Sequence, residues 1–239
     1  MPKLAFVDIG AHRGQSAQVA LGPFFAFSKV ICFEPDPACA SHIANELAAD
    51  IRSGRLDVQN AALGARNGKT VLFGSNAGGG ASLLQGGAGG QAVEGVDCKV
   101  IDVLDVLQEL DRQGFVSFLK LNCEGAEVEI LDRICEGGAT TRIASIMADF
   151  DIVKYAGGFQ EKQRVLARCR RAGLPICLSE DVMVGRTHEE RLRNWLARFP
   201  EVKSERNADL PRPQMLKRKL KYWLRDRRSL MGLQKHQSR

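Results

Sequence analysis

The stretch Leu4-Ala5-Phe6-Val7-Asp8-Ile9-Gly10-Ala11-His12-Arg13-Gly14 decides the fold class. Residues 4–9 form a short run dominated by apolar side chains, without strict alternation. That is the pattern of a strand covered on both faces. The run ends at a turn with GxxxG spacing, and a helix can start over residues 14–21. The same grammar then repeats. Residues 29–34 form a second apolar run, stopped by Pro35. Asp36-Pro37 reads as an N-cap with proline at the first helical position, followed by helix through residue 48. Further strands are expected over residues 56–60, 69–73, 98–101, 115–121, 142–150, 174–178 and 182–184. Helices are expected over residues 104–113, from the 122–127 stretch to 134, and over 160–172. Strands alternating with helices predict an α/β fold with a parallel sheet and helices on both faces.

Composition sets the outer bounds. The chain has 239 residues, 44% hydrophobic, which is enough for a sizeable core and excludes a largely disordered chain. The formal net charge is +6. A basic chain invites a nucleic-acid reading, but the charge is unevenly placed. Residues 1–160 stand at −6, residues 161–200 at +4 and residues 201–239 at +8. The expected organisation is therefore a main domain over residues 1–200 and a basic, helical tail over 201–239. Within the tail, Leu216, Leu220, Trp223 and Leu224 fall at helical spacing between basic residues, a pattern suited to an anionic membrane surface or to docking on the domain. Residues 74–95 are dominated by glycine and read as a long loop.

Seven cysteines, an odd number without a CxxC pair, argue against a disulfide framework. Met1-Pro2-Lys3 leads directly into the first apolar run, so no leader is expected. A cytoplasmic location follows as the expectation, with peripheral contact to the inner face of the membrane through the tail. No apolar run approaches the ~20 residues of a transmembrane helix.

In an open α/β sheet, ligands bind beyond the carboxyl ends of the strands. Asp8 and Gly10 end the first strand, where an acid beside glycine backbone suits the ammonium of an amino-acid moiety. The GxGxxG spacing of a dinucleotide pyrophosphate turn is absent. Glu34 ends the second strand, where a carboxylate can accept both hydroxyls of a ribose. Asn60 ends the third, near where an adenine edge would lie.

Taken together, Phe6-Val7-Asp8-Ile9-Gly10-Ala11-His12-Arg13-Gly14-Gln15, Phe33-Glu34-Pro35 and Leu119-Lys120-Leu121-Asn122-Cys123-Glu124-Gly125-Ala126-Glu127 resemble the FkbM family of S-adenosylmethionine-dependent methyltransferases over about residues 4–150. Ala81-Ser82-Leu83 is similar to a Ser-Leu element of that family. The resemblance implies a Rossmann-like, seven-stranded class I methyltransferase sheet that binds S-adenosylmethionine and methylates a hydroxyl oxygen. By position, Asp8, Gly10 and Gly14 would line the methionine end of the cofactor, and Asn122 is a further cofactor-binding candidate. Glu34 would hold the ribose, and Asn60 and Ala61 would flank the adenine. The chain departs from the family pattern at Asn122, often acidic there, and at the end of the fifth strand, where Asp149 and Asp151 replace a common Glu.

Methyl transfer to an alkyl hydroxyl benefits from a base or a metal ion that takes up the proton. Asp149 ranks first as the base, then His12; Lys120 could orient the acceptor. Glu124, Asp149 and Asp151 could supply oxygen ligands to a divalent cation, and Glu124 could equally cap the following helix. His188 falls outside the stretch that resembles the family. The expected acceptor is a sugar hydroxyl in a glycan or glycolipid, such as a lipopolysaccharide or a lipo-oligosaccharide signal of the nodulation-factor type. A polyketide-type product is the alternative. An RNA or protein substrate gripped by the tail is a further one, disfavoured by the acidic core, and no nucleic-acid partner is expected.

Overall fold

The computed structural model describes residues 2–73, 95–137 and 142–204. The expected loop over 74–95 lies outside these residues except for Gly95, and the expected tail lies outside them beyond Ser204.

The apolar runs become parallel strands. The element order is β1 (Lys3–Ile9), α1 (Gln15–Leu21), β2 (Lys29–Phe33), α2 (Pro37–Glu46), α3 (Ala48–Arg52), β3 (Leu56–Gln59), β4 (Ala62–Gly64), β5 (Gly68–Leu72), β6 (Val96–Asp102), α4 (Val103–Arg112), β7 (Phe115–Leu121), α5 (Glu127–Gly137), β8 (Ile143–Ala148), α6 (Gly158–Arg171), β9 (Ile176–Leu178), α7 (Ser179–Val182) and α8 (His188–Leu196). Among the described residues the main sheet has six strands in the order β3-β2-β1-β7-β8-β9, and every pair in it is parallel.

Among the described residues the main sheet shows six of the seven strands expected. The run at 69–73 is a strand, as expected, but does not enter that sheet. It forms β5, which pairs antiparallel with β6 in a separate sheet of order β4-β6-β5. Residues 182–184 form no strand; Val182 ends the short helix α7 instead. Periodicity registers that a segment is extended, and it carries no information on which neighbour accepts its hydrogen bonds.

Both faces of the sheet are covered. Leu107, Leu110, Ile130, Leu131, Val165 and Leu166, from α4, α5 and α6, pack against Val7, Ile9, Leu119 and Ile146 on one face. On the other face α1 and α8 enclose Phe6, Phe27, Phe118 and Trp195. Phe6 and Trp195 lie with ring centroids 6.2 Å apart, and Phe27 meets Phe118 edge-on at 5.6 Å. The fully buried Trp195 satisfies its indole by donating Nε1–H to Ser145 Oγ at 3.3 Å. A buried aromatic of this kind is worth ~3–5 kcal/mol against truncation to alanine, so α8 is firmly seated. Residues 201–204, assigned to the tail by composition, begin against the domain. Ala26 donates its N–H to Val202 O, Ser204 donates to Phe24 O, and Val202 is buried. No helix among the described residues is long and apolar enough to cross a membrane.

Candidate active site

Strand register builds the centre of the site. In the parallel pair β1/β7, Asp8 lies directly beside Lys120. Neighbours on adjacent parallel strands face the same side of the sheet, so the two side chains meet. Lys120 Nζ donates to Asp8 Oδ1 at 2.8 Å and to Gly10 O at 3.0 Å. Both residues are buried. The second carboxylate oxygen, Asp8 Oδ2, is buried and has no hydrogen-bond partner. Lys120 thereby fixes both the carboxylate and the backbone turn after β1. This makes it a positioning group rather than a free proton acceptor.

The turn itself is forced by backbone geometry. Gly10 has φ +76°, and a Cβ there would lie 1.9 Å from Asn122 O. Only glycine lets the ends of β1 and β7 approach this closely. Asn122 N–H donates to Ile9 O, while its side-chain Oδ1 is buried and unpartnered. Gly14, φ +77°, ends the turn, and a Cβ there would press on Ile43 of α2 at 3.1 Å. His12 also has positive φ, 51°, and its Nε2 is a third buried polar atom without a partner. Three such atoms at the ends of β1 and β7 are unusual, because buried polar groups in folded proteins are nearly always paired. They are what a polar ligand seated at this edge would satisfy.

Glu34 closes the site at the end of β2. His12 N–H donates to Oε2 at 2.6 Å and Asp36 N–H donates to Oε1 at 2.9 Å. Burial above all, opposed by these two donors and helped by the charges of Asp36 and Asp8, pushes its pKa up to about 7. Each oxygen retains a lone pair for a hydroxyl donor. Asn60 is used to hold this corner: its Nδ2 donates to Glu34 O and Pro35 O, both at 3.0 Å. Ala61 is buried beside it.

The carboxylates expected at the end of β8 are arranged differently from a metal centre. Lys154 Nζ lies 3.2 Å from Glu124 Oε2 and 2.7 Å from Asp151 Oδ1, so an ammonium bridges the pair. Asp149, half-buried, donates its N–H to Leu121 O, which places it at the end of β8 next to β7. Among the described residues, no group of three or more His, Cys, Asp or Glu side chains is set to hold a metal ion. Glu124 itself occupies a left-handed conformation, φ 52°. The turn after β7 is held by Glu127 instead, whose buried carboxylate accepts from Cys123 N–H and Gly125 N–H. Burial raises the pKa of the Cys123 thiol well above its ordinary value, with Glu127 adding to the effect, so it stays a neutral packing group.

Reading the sequence missed two residues here. His188, the first residue of α8, has its Nε2 2.8 Å from Oγ of the buried Ser16 in the first turn of α1. The clue was present as Thr187-His188-Glu189-Glu190, a T-x-x-E helix start; Thr187 Oγ1 does accept from Glu190 N–H. A groove of about 360 Å³ lies elsewhere, between α4 and the face of β2 and β3, lined by Ile31, Phe33, Gln59, Ile101 and Val106. It contains none of the residues above.

With this geometry in place, comparison with known proteins is specific. A family model described as the methyltransferase FkbM domain matches residues 8–155. A crystal structure of a methyltransferase FkbM from Methylobacillus flagellatus KT is similar at 17% identity with a TM-score of 0.40, over 69% of this chain. The chain spans only 37% of that protein's length. No curated protein matches the chain.

Proposed function

The chain belongs to the FkbM methyltransferase family, and from that premise we propose that it transfers a methyl group from S-adenosylmethionine to a sugar hydroxyl in a glycan or glycolipid. The observation that carries the cofactor assignment is the set of buried, unpartnered atoms Asp8 Oδ2 and Asn122 Oδ1 beside the Glu34 carboxylate. These are acceptors, and an α-ammonium and two ribose hydroxyls are donors. Asp8 Oδ2 would accept from the ammonium, and Glu34 from the ribose. When bound, the cofactor supplies an electrophilic methyl on a sulfonium.

The remaining task falls to the chain's own side chains. An in-line displacement needs the acceptor oxygen aligned and water excluded. Asp149 at the end of β8 is the group we assign to receive the hydroxyl proton, with His12 Nε2 as the second candidate. The bridging Lys154 holds Glu124 and Asp151 together at the rim and offsets one of their two charges, leaving carboxylate oxygens that can accept from sugar hydroxyls. The basic segment of residues 213–239 is proposed to keep the enzyme near anionic membrane, where lipid-linked saccharides are assembled.

Calorimetric titration with S-adenosylmethionine tests the cofactor, with Asp8→Ala expected to abolish binding. The acceptor class is tested by mass spectrometry of cell-envelope glycans with and without the protein. A loss of about 14 mass units per methyl, the CH₂ a methylation adds, is expected on a saccharide. An unchanged glycan profile would overturn the acceptor assignment. Removal of residues 213–239 should weaken binding to anionic vesicles and leave cofactor affinity intact.

A further inference from the structure

We propose that Cys135 and Cys169 are an oxidative modification site, a dithiol that closes to a reversible disulfide on contact with a hydroperoxide and ties α5 to α6. The inference is independent of the cofactor and acceptor readings above.

The first argument is contact. All seven cysteines are free thiols, and two of them meet across α5 and α6. Cys135 Sγ–H donates to Cys169 Sγ at 3.8 Å. A disulfide sets its sulfurs at about 2.0 Å, so each of these two must move by about 0.9 Å. Rotation about the two Cα–Cβ bonds is the motion that closes the gap.

The second argument is register. Asp132 lies one helical turn before Cys135 on α5, and Arg168 directly precedes Cys169 on α6. Asp132 accepts from Arg164 Nη2 at 2.6 Å and from Arg168 Nη1 at 2.9 Å, and Arg168 Nη2 lies 3.6 Å from Glu136 Oε1. These ion pairs stand on either side of Cys135. Exposed pairs add little stability singly, but several that share partners fix how the helices slide along each other. Below them Leu131, Ile134, Val165 and Leu166 pack in the core that also holds Cys169, with Cys135 packed at its margin. The two sulfurs are thus held face to face by the helix pair as a whole.

The third argument is order of attack. Cys169 is fully buried and Cys135 is half-buried, so an oxidant reaches Cys135 first. Charge agrees with access. Burial raises the pKa of both thiols, but the Cys169 contact and the Arg168 guanidinium oppose the rise at Cys135, whereas Cys169 is pushed up to about 12 by burial and by Cys135 itself. The Cys135 sulfur attacks one oxygen of the hydroperoxide, and the O–O bond breaks. The other oxygen leaves with the thiol proton as an alcohol, or as water from hydrogen peroxide, and Cys135 becomes a sulfenic acid. The Cys169 sulfur then attacks the Cys135 sulfur. The S–O bond breaks, and the hydroxide departs with the Cys169 proton as water. Each sulfur is oxidised by one electron, and the two electrons reduce the O–O bond. A waiting partner thiol diverts the sulfenic acid from irreversible oxidation to sulfinic acid. The bond closes a loop that contains β8 and most of α6 and restrains it in the unfolded chain. Oxidation therefore stabilises the fold, and a thiol reductant reverses it.

The test is treatment of the reduced full chain with hydrogen peroxide, followed by non-reducing peptide mapping and a thermal melt. The map is expected to contain a Cys135–Cys169 cross-linked peptide, two hydrogens lighter than the separate thiol peptides. The Tm is expected to rise by about 5–15 °C and to return after dithiothreitol. Cys169→Ala should lose both the cross-link and the rise, and should leave Cys135 as a sulfenic acid that dimedone traps. Cys135→Ala should leave the buried Cys169 unlabelled by dimedone. A wild-type map without this cross-link, pairing of either residue with a different cysteine, or an unchanged Tm in the fully cross-linked chain overturns the inference. The wild-type map and melt need no substitution, so they decide the point even where a variant fails to fold.

Discussion

Asp8 Oδ1 and Lys120 Nζ are 2.8 Å apart within the sheet, and Asp8 Oδ2 is left without a partner. A buried ion pair of this kind is costly to assemble and costlier to break, because removing one partner strands a charge in low dielectric. Lys120→Met is expected to destabilise the protein by ~3–5 kcal/mol. Adding Asp8→Asn to that variant should restore most of the loss. Urea denaturation of the single and double variants measures both, and a double variant no more stable than Lys120→Met would contradict the assignment.

Gly10 and Gly54 separate two effects that usually travel together. Both have strongly positive φ, +76° and +77°, but a Cβ at Gly54 meets nothing within 4 Å. Gly54→Ala should therefore cost only the left-handed backbone penalty of ~1–2 kcal/mol. Gly10→Ala must in addition push the Asn122 carbonyl away. It should cost more than Gly54→Ala and weaken S-adenosylmethionine binding, whereas Gly54→Ala leaves binding unchanged. Thermal melts and titration calorimetry compare the two.

Glu34 gives the stability a sloping pH dependence. Its folded pKa, about 7, lies above the ordinary value of 4.5. Between those values the folded state holds more protons than the unfolded one, so stability falls as pH rises from about 4.5 to about 7 and then levels off. The full effect is on the order of 3 kcal/mol, and Glu34→Gln should flatten this component. Hydroxyl donors on the carboxylate favour its ionised form. Cofactor binding should thus tighten as pH rises toward about 7 and release protons, seen as a buffer-dependent heat.

Lys154 holds two carboxylates at one place. With the ammonium replaced in Lys154→Gln, Glu124 and Asp151 are left to repel each other or to recruit a cation. Manganese is expected to raise the melting temperature of this variant more than that of the wild type. An equal response in both would show that Lys154 does not govern cation access there.

Much of this was readable in advance because the information was local. The apolar runs at residues 4–9, 29–34 and 115–121 became β1, β2 and β7, and Asp36 caps α2, its side chain accepting from Ala38 and Cys39 N–H groups. Asp8, Gly10 and Glu34 were found because strand ends are where α/β folds place ligands. The pairing partners were not readable. Lys120 meets Asp8 through a register that joins residues far apart in the chain, and the bridging of Glu124 and Asp151 by Lys154 depends on how the turn after β8 folds back. His188 lies beyond the stretch that resembles the family, and only three-dimensional packing brings it to the first turn of α1. Sheet membership is likewise non-local: β5 has the strand character expected of residues 69–73 and pairs with β6 outside the main sheet.

The pairing of Leu72 with Val96 across β5 and β6 has a consequence for how this protein can diversify. It brings the two ends of the intervening segment, residues 74–94, side by side on a small sheet separate from the six-stranded one. Among the described residues no strand-to-strand ladder joins that small sheet to the one whose register ties Asp8 to Lys120. A distortion where residues 73 and 95 leave β5 and enter β6 therefore has no hydrogen-bonded strand through which to reach the Asp8–Lys120 pair, and a fusion or graft between those two residues is the insertion that the central pair is best insulated from.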